Sequence, residues 1–196
     1  MSLRHHFWPL LIFLADVVWG GDALPGKPAT VDLGGFAKQL DSWSFTVGAE
    51  YPGATGTLTW LGTVGHTAPG VASLRGDFSA GGRYVGMRIR KVDRLATEFA
   101  CWVKPDGLAK SIMVRLTDAG DQTFQYQLPL APGTDWQRIA VAPGTTVPES
   151  NFSGPNDGKW QGHIAAIVIG LSKESLIQGS AVACLIDDVV IVIPGP

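Results

Sequence analysis

Between Thr97 and Val141 apolar and polar residues alternate in four short runs, each closed by a turn signal. The runs read TEFACWVKP, SIMVRLTD, QTFQYQLPL and WQRIAVAP. Alternation over five to eight residues is the period of a half-buried strand, because successive side chains point to opposite faces of a sheet. Pro105-Asp106-Gly107, Ala119-Gly120-Asp121 and Pro132-Gly133 supply the positive φ values and preset φ angles that reverse a chain. Four antiparallel strands in a row with no helical period between them predict an all-β sandwich or barrel.

Outside this stretch, further strands are predicted at 71–78, 84–91, 163–171 and 181–193. The last two are apolar at nearly every position, the pattern of strands in mid-sheet with both faces covered. Residues 24–40 read as an irregular lead-in, and the domain proper is placed at 41–193. Residues 53–70, rich in Gly and Thr, read as a hairpin or loop carrying Trp60 and His66. Residues 143–162 form a long polar segment that reads as a surface loop, and long loops in compact β domains commonly carry function.

Eight strands after a lead-in fit a jelly roll, an antiparallel β-sandwich. In the usual order one sheet holds 71–78, 181–193, 97–104 and 136–142, and the other 84–91, 163–171, 110–118 and 122–129. This order makes the strands of Cys101 and Cys184 neighbours. A disulfide between them is expected if their Cβ atoms share a side, closing a long loop and contributing about 4 kcal/mol.

The N-terminus reads as a secretory leader. Arg4, His5 and His6 precede a 13-residue apolar stretch that is too short to span a bilayer as a helix; Gly21 and Ala23 suit a cut after Ala23, and Pro9 and Asp16, which weaken the run, leave a cut after Gly20 as the alternative. The expected location is therefore secreted or periplasmic, without a membrane contact once residues 1–23 are removed. Removal leaves 14 basic and 15 acidic residues. The whole chain has a formal charge of −2, so its overall balance gives no reason to expect nucleic acid as a partner.

Several segments resemble the carbohydrate-binding modules built on the galactose-binding-like jelly roll, which are often attached to bacterial polysaccharide hydrolases and lyases. They are DSWSF around Trp43, FACWVKPDG around Trp102, VRLTDAGDQTFQY, the strand start Asp135-Trp136-Gln137-Arg138 and the closing Ile186-Asp187-Asp188-Val189. The resemblance covers residues 30–193. It implies a non-catalytic module that binds a polysaccharide or oligosaccharide, with a catalytic domain of a larger enzyme as a possible companion. The other readings are a small polysaccharide lyase or glycoside hydrolase on the same fold, and a structural or adhesion domain of a cell-surface protein.

Alternation assigns faces to the candidate site. Val85, Met87, Ile112, Val114, Phe124 and Tyr126 are predicted inward. Tyr84, Arg88, Arg115, Gln125 and Gln127 then share the outer face of one sheet. Guanidinium forks and planar amides hydrogen-bond pairs of sugar hydroxyls, and an aromatic ring packs on the apolar face of a pyranose. An ordinary polar sheet face would look the same. Trp102 is predicted on the outer face of the other sheet, Trp136 at the end of the core, and Trp160 in the long loop as a further ligand candidate.

Asp187 and Asp188 in an apolar strand need partners or a cation, since a buried unpaired carboxylate is strongly disfavoured. The resemblance implies a structural calcium held by Asp187 or Asp188 with Asp32, although the acidic segment expected near the N-terminus is here only Val31-Asp32-Leu33-Gly34. Catalysis has little support. After the leader only His66 and His163 remain, and Glu50, Glu98, Glu149 and Glu174 form no recognisable pair.

Overall fold

The computed structural model describes residues 26–195. Twelve strands run in the order β1 (Ala29–Gly34), β2 (Ser44–Val47), β3 (Thr55–Leu61), β4 (Val71–Asp77), β5 (Tyr84–Arg94) and β6 (Glu98–Pro105), then β7 (Ser111–Asp118), β8 (Thr123–Pro129), β9 (Gln137–Val141), β10 (Ser150–Phe152), β11 (Ile164–Ser172) and β12 (Ala181–Ile193). The single helical element among them is a 3₁₀ turn at Lys173–Ser175. No helix in the described residues is long and apolar enough to cross a membrane. The expected leader at 1–23 lies outside the described residues.

All pairings are antiparallel, and they build two six-stranded sheets. Sheet I has the order β3-β4-β12-β6-β9, with β1 against the second half of β12. Sheet II has the order β10-β8-β7-β11-β5-β2. The eight strands expected from alternation occupy the expected jelly-roll positions. The additions are β1, β2, β3 and β10. The lead-in is therefore a strand over Ala29–Gly34 rather than irregular, and the 53–70 region is a strand followed by a loop.

Inward side chains of both sheets pack into one core. Phe99, Cys101 and Val103 of β6 and Leu74 of β4 meet Val85 and Met87 of β5, Ile112, Val114 and Leu116 of β7, and Ile167 and Ile169 of β11. Each such side chain taken from water contributes about 1.5–3 kcal/mol of transfer free energy. Trp43 closes one end of this core, and its indole N–H donates to the Leu33 carbonyl at 2.7 Å, tying the β2 entry to β1.

The expected disulfide does not form: Cys101 and Cys184 are both free. Their strands are neighbours and both side chains point into the core, as expected, but the register separates them. Cys184 lies opposite Pro105, four residues along β6 from Cys101. At about 3.3 Å per residue this is about 13 Å, beyond the roughly 7 Å that a disulfide tolerates between Cα atoms. Burial pushes both thiols far above their ordinary range, so neither supplies a thiolate. The native protein should resist a maleimide reagent, and unfolding without reductant should expose two thiols. Fewer than two after unfolding would restore the disulfide.

Candidate functional site

The outer face of sheet II holds a groove of about 700 Å³. Its shape follows from the cross-strand rows. One row runs Ser44, Arg88, Val168, Arg115, Gln125, Ser150 through all six strands. The row beside it runs Thr46, Gly86, Gly170, Met113, Gln127. Gly86 and Gly170 face each other in mid-sheet, and the Met113 side chain lies over Gly170. A Cβ on Gly170 would stand 2.6 Å from Met113 Cε and 2.7 Å from the Val85 carbonyl oxygen. The apolar run of β11 thus reports a low floor of Ala166 and Val168, half-buried on this face, rather than a face covered by other elements.

Five of the predicted residues, Tyr84, Arg88, Arg115, Gln125 and Gln127, share this face, and their roles differ. Arg115 is central. Its guanidinium lies 4.1 Å from the Tyr84 ring centroid and 5.3 Å from that of Phe152, and its Nε donates to Gln125 Oε1 at 2.8 Å. Gln125 Nε2 donates in turn to Glu149 Oε2 at 2.8 Å, which fixes the orientation of the amide. Gln127 serves the floor: its Nε2 donates to Ser111 Oγ at 2.9 Å within a cluster that includes Ser172 and Ser175.

Tyr84 is not the exposed stacking ring that alternation suggests. It is only 9% exposed, because Arg115 covers it and its hydroxyl donates to Glu50 at 3.0 Å. Burial pushes its phenol up against the opposing pull of Arg115, so the group stays neutral. The open aromatic faces belong instead to Phe152 of β10 and Tyr51, which are 37% and 41% exposed and both line the groove. Neither stood out in sequence: Phe152 sits in the 143–162 segment marked as functional, and Tyr51 in a turn. Arg83 lies 4.8 Å from the Tyr51 ring centroid and pairs with Glu174 at 3.0 Å. Three carboxylates of widely separated residues, Glu50, Glu149 and Glu174, therefore line the groove, each accepting a hydrogen bond from a named donor.

The remaining predicted residues lie elsewhere. Trp160 is half-buried, with its ring 5.3 Å from Phe124 and its indole N–H donating to the Gly162 carbonyl; it packs against the core instead of facing the groove. Trp102 is on the outer face of sheet I, as alternation requires, but His66 is stacked on it at 3.9 Å and 19°. Trp136 meets the same imidazole edge-on at 5.4 Å and so belongs to this outer cluster rather than to the end of the core.

The acidic pair on β12 is accounted for by the loop between β3 and β4. A bulge shifts the register between Asp187 and Val190, and Asp188 takes φ +47° there. Asp tolerates the left-handed region better than most residues. Asp187, 1% exposed, accepts the His66 backbone N–H and the Asp188 backbone N–H at 2.7 and 2.8 Å. The Asp188 carboxylate pairs with His66 Nδ1 at 2.7 Å and accepts from Thr67 Oγ1. Asp32 instead caps the Gly34 N–H at 2.8 Å. Asp32, Asp187 and Asp188 are thus each engaged by nearby donors, and among the described residues no group of three or more His, Cys, Asp or Glu side chains is placed to hold a metal ion.

The same architecture occurs in solved structures at low sequence identity. The family 11 carbohydrate-binding module of the cellulosomal cellulase Lic26A-Cel5E of Clostridium thermocellum aligns over 85% of this chain and 95% of its own, with a TM-score of 0.56 and 12% identity. That module in complex with a β-1,3-1,4-mixed-linked tetrasaccharide aligns over 88% and 98%, with a TM-score of 0.55 and 12% identity. An exo-β-agarase aligns over 84% of this chain but only 25% of its own, with a TM-score of 0.51 and 14% identity. The chain therefore has the β-sandwich jelly-roll fold found in carbohydrate-binding modules. No protein-family model matches it, and neither does any characterised protein in a sequence comparison.

Burial raises the Asp187 carboxyl above its ordinary 3.8, against two backbone N–H donors that lower it. A carboxyl with a raised folded-state pKa contributes its stability fully below the unfolded value and loses it as pH rises through the folded value. Asn cannot titrate. The melting temperature of Asp187→Asn should therefore gain on that of the wild type as pH rises from 3.5 to 7. A constant or narrowing difference would place the cost elsewhere.

Proposed function

We propose that this chain is a non-catalytic carbohydrate-binding module that takes a segment of polysaccharide in the sheet II groove. The observation that carries the reading is the Arg115 cluster. One guanidinium, held between Tyr84 and Phe152 and oriented by Gln125, presents fixed donors beside an open aromatic face. Sugar recognition asks for this pairing of planar hydrogen-bonding groups with an apolar plate. Tyr51 offers a second plate near Arg83. The shared fold with a module solved in complex with a tetrasaccharide supports the same reading.

A binding role also suits the three groove carboxylates. Each is engaged by a neighbouring donor and thereby helps to hold a binding side chain in place. A leader of the kind expected at residues 1–23 would deliver such a module outside the cell, where polysaccharides are met.

Retention on polysaccharide affinity gels tests the reading, with reducing-end release assayed on the same material. Wild type should be retained and should release no new ends. Arg115→Ala should bind roughly ten- to a hundredfold more weakly, the cost of a charged hydrogen bond of about 1.5–3 kcal/mol. Phe152→Ala should lose roughly three- to tenfold, from about 0.5–1.5 kcal/mol of aromatic contact. Trp102→Ala, on the opposite sheet, should bind as wild type. Loss of binding in Trp102→Ala alone would move the site to sheet I, and released ends would make the protein an enzyme.

A further inference from the structure

The groove continues along sheet II, past Arg115 and Phe152, into a second depression of about 400 Å³ that has a different charge. The main groove is lined by three acidic side chains, Glu50, Glu149 and Glu174, and three basic ones, Arg83, Lys110 and Arg115, so its charges balance. In the second depression Arg88, Arg90 and Arg115 converge with Asp121 as the one carboxylate. Arg88 and Arg115 stand in the same cross-strand row on either side of Val168, and Arg90 is one row further along β5 beside Ala166. Among the described residues, none of the three arginines has a carboxylate oxygen within 4 Å, and the four ion pairs found there involve other residues.

Arg88 adds an independent sign. Its Nε is buried, yet it has no hydrogen-bond partner. A buried donor left unpaired costs about 1–3 kcal/mol, more when it is charged, so such a group is explained most simply by a ligand that completes it. Three like charges also repel one another, a cost that an anion between them would remove. The concentration is local, because the chain as a whole has a formal charge of −2.

From this we infer that the ligand is an acidic polysaccharide, with a carboxylate or sulfate ester seated among Arg88, Arg90 and Arg115 while neighbouring neutral sugar lies along the main groove. Carboxylate and sulfate share the planar or forked oxygen pairs that a guanidinium binds in bidentate fashion. The inference rests on the glycan-binding reading, since the anion site opens from the groove and shares Tyr84, Arg115 and Phe152 with it. Nucleic acid and anionic lipid also carry anions, but a low floor of Ala166 and Val168 beside the exposed Phe152 matches a single flat chain of sugar rings.

Matched pairs test it: a polyuronate against the same polymer with its carboxyls reduced, and a sulfated polysaccharide against its desulfated form, with duplex DNA and phosphatidylserine vesicles alongside. The expected result is at least tenfold tighter binding to one acidic member than to its neutral partner, with the gap shrinking as salt rises. The preferred pair identifies the anion. Arg88→Gln with Arg90→Gln should abolish the gap between acidic and neutral members, and Arg88→Lys with Arg90→Lys should keep part of it. Melting curves check that both variants fold. Equal binding to the members of each pair would overturn the acidic ligand but keep the glycan reading, whereas no retention on any glycan would overturn both. Preferential binding to DNA or vesicles would also overturn the inference.

Discussion

The β12 strand is the constraint on which the sandwich depends. Over 13 residues it pairs with β6 along one edge and with β4 and then β1 along the other. Sheet I has no other link between its two halves. The bulge at Asp187–Asp188 falls where β12 passes from the β4 pairing to the β1 pairing, and the extra residue turns the strand there. Two carboxylates at that turn would be intolerable alone. The β3–β4 loop supplies His66 and Thr67 to satisfy them, and the imidazole then covers Trp102. One backbone irregularity thus accounts for the acidic pair, the loop conformation and the aromatic cluster on the outer face.

Sheet II carries its register shift towards one end, between Ile164 and Ala166 of β11, and the rows that hold the site are regular. Gly86 and Gly170 stand opposite each other there, and Tyr84 lies beneath Arg115, although the two belong to rows separated by a full repeat of the sheet. A guanidinium resting on one ring and close to another loses less freedom on binding than one that must be ordered from solvent. The Gln125–Glu149 relay acts in the same direction, since it leaves the amide one orientation.

Much of this was legible in the chain. Alternation in β5, β7 and β8 assigned Arg88, Arg115, Gln125 and Gln127 to one outer face, and the strand order followed from their number and spacing. What alternation cannot carry is height and register. It says that Tyr84 points outward but not that a long side chain leans across a glycine pair and is covered. It places Cys101 and Cys184 inward on neighbouring strands, yet their offset is set by the pairing of Cys184 with Pro105. The carboxylates of the β12 pair found partners more than 120 residues away, a contact with no local signature. Phe152 and Tyr51 were missed for another reason: neither lies in an alternating run long enough to define a face.

Both edges of sheet II end in stubs. β2 has four residues and β10 has three, and the free rim of β8 beyond β10 ends at Pro129, which has no N–H to offer. An unpaired rim is a template on which another chain can add a strand, and its hold grows with the number of ladder bonds it offers. Three or four residues offer too few. Copies crowded side by side along one polymer would therefore gain little by joining through β2 or β10, so the groove face of one molecule would not run on into the next by that route.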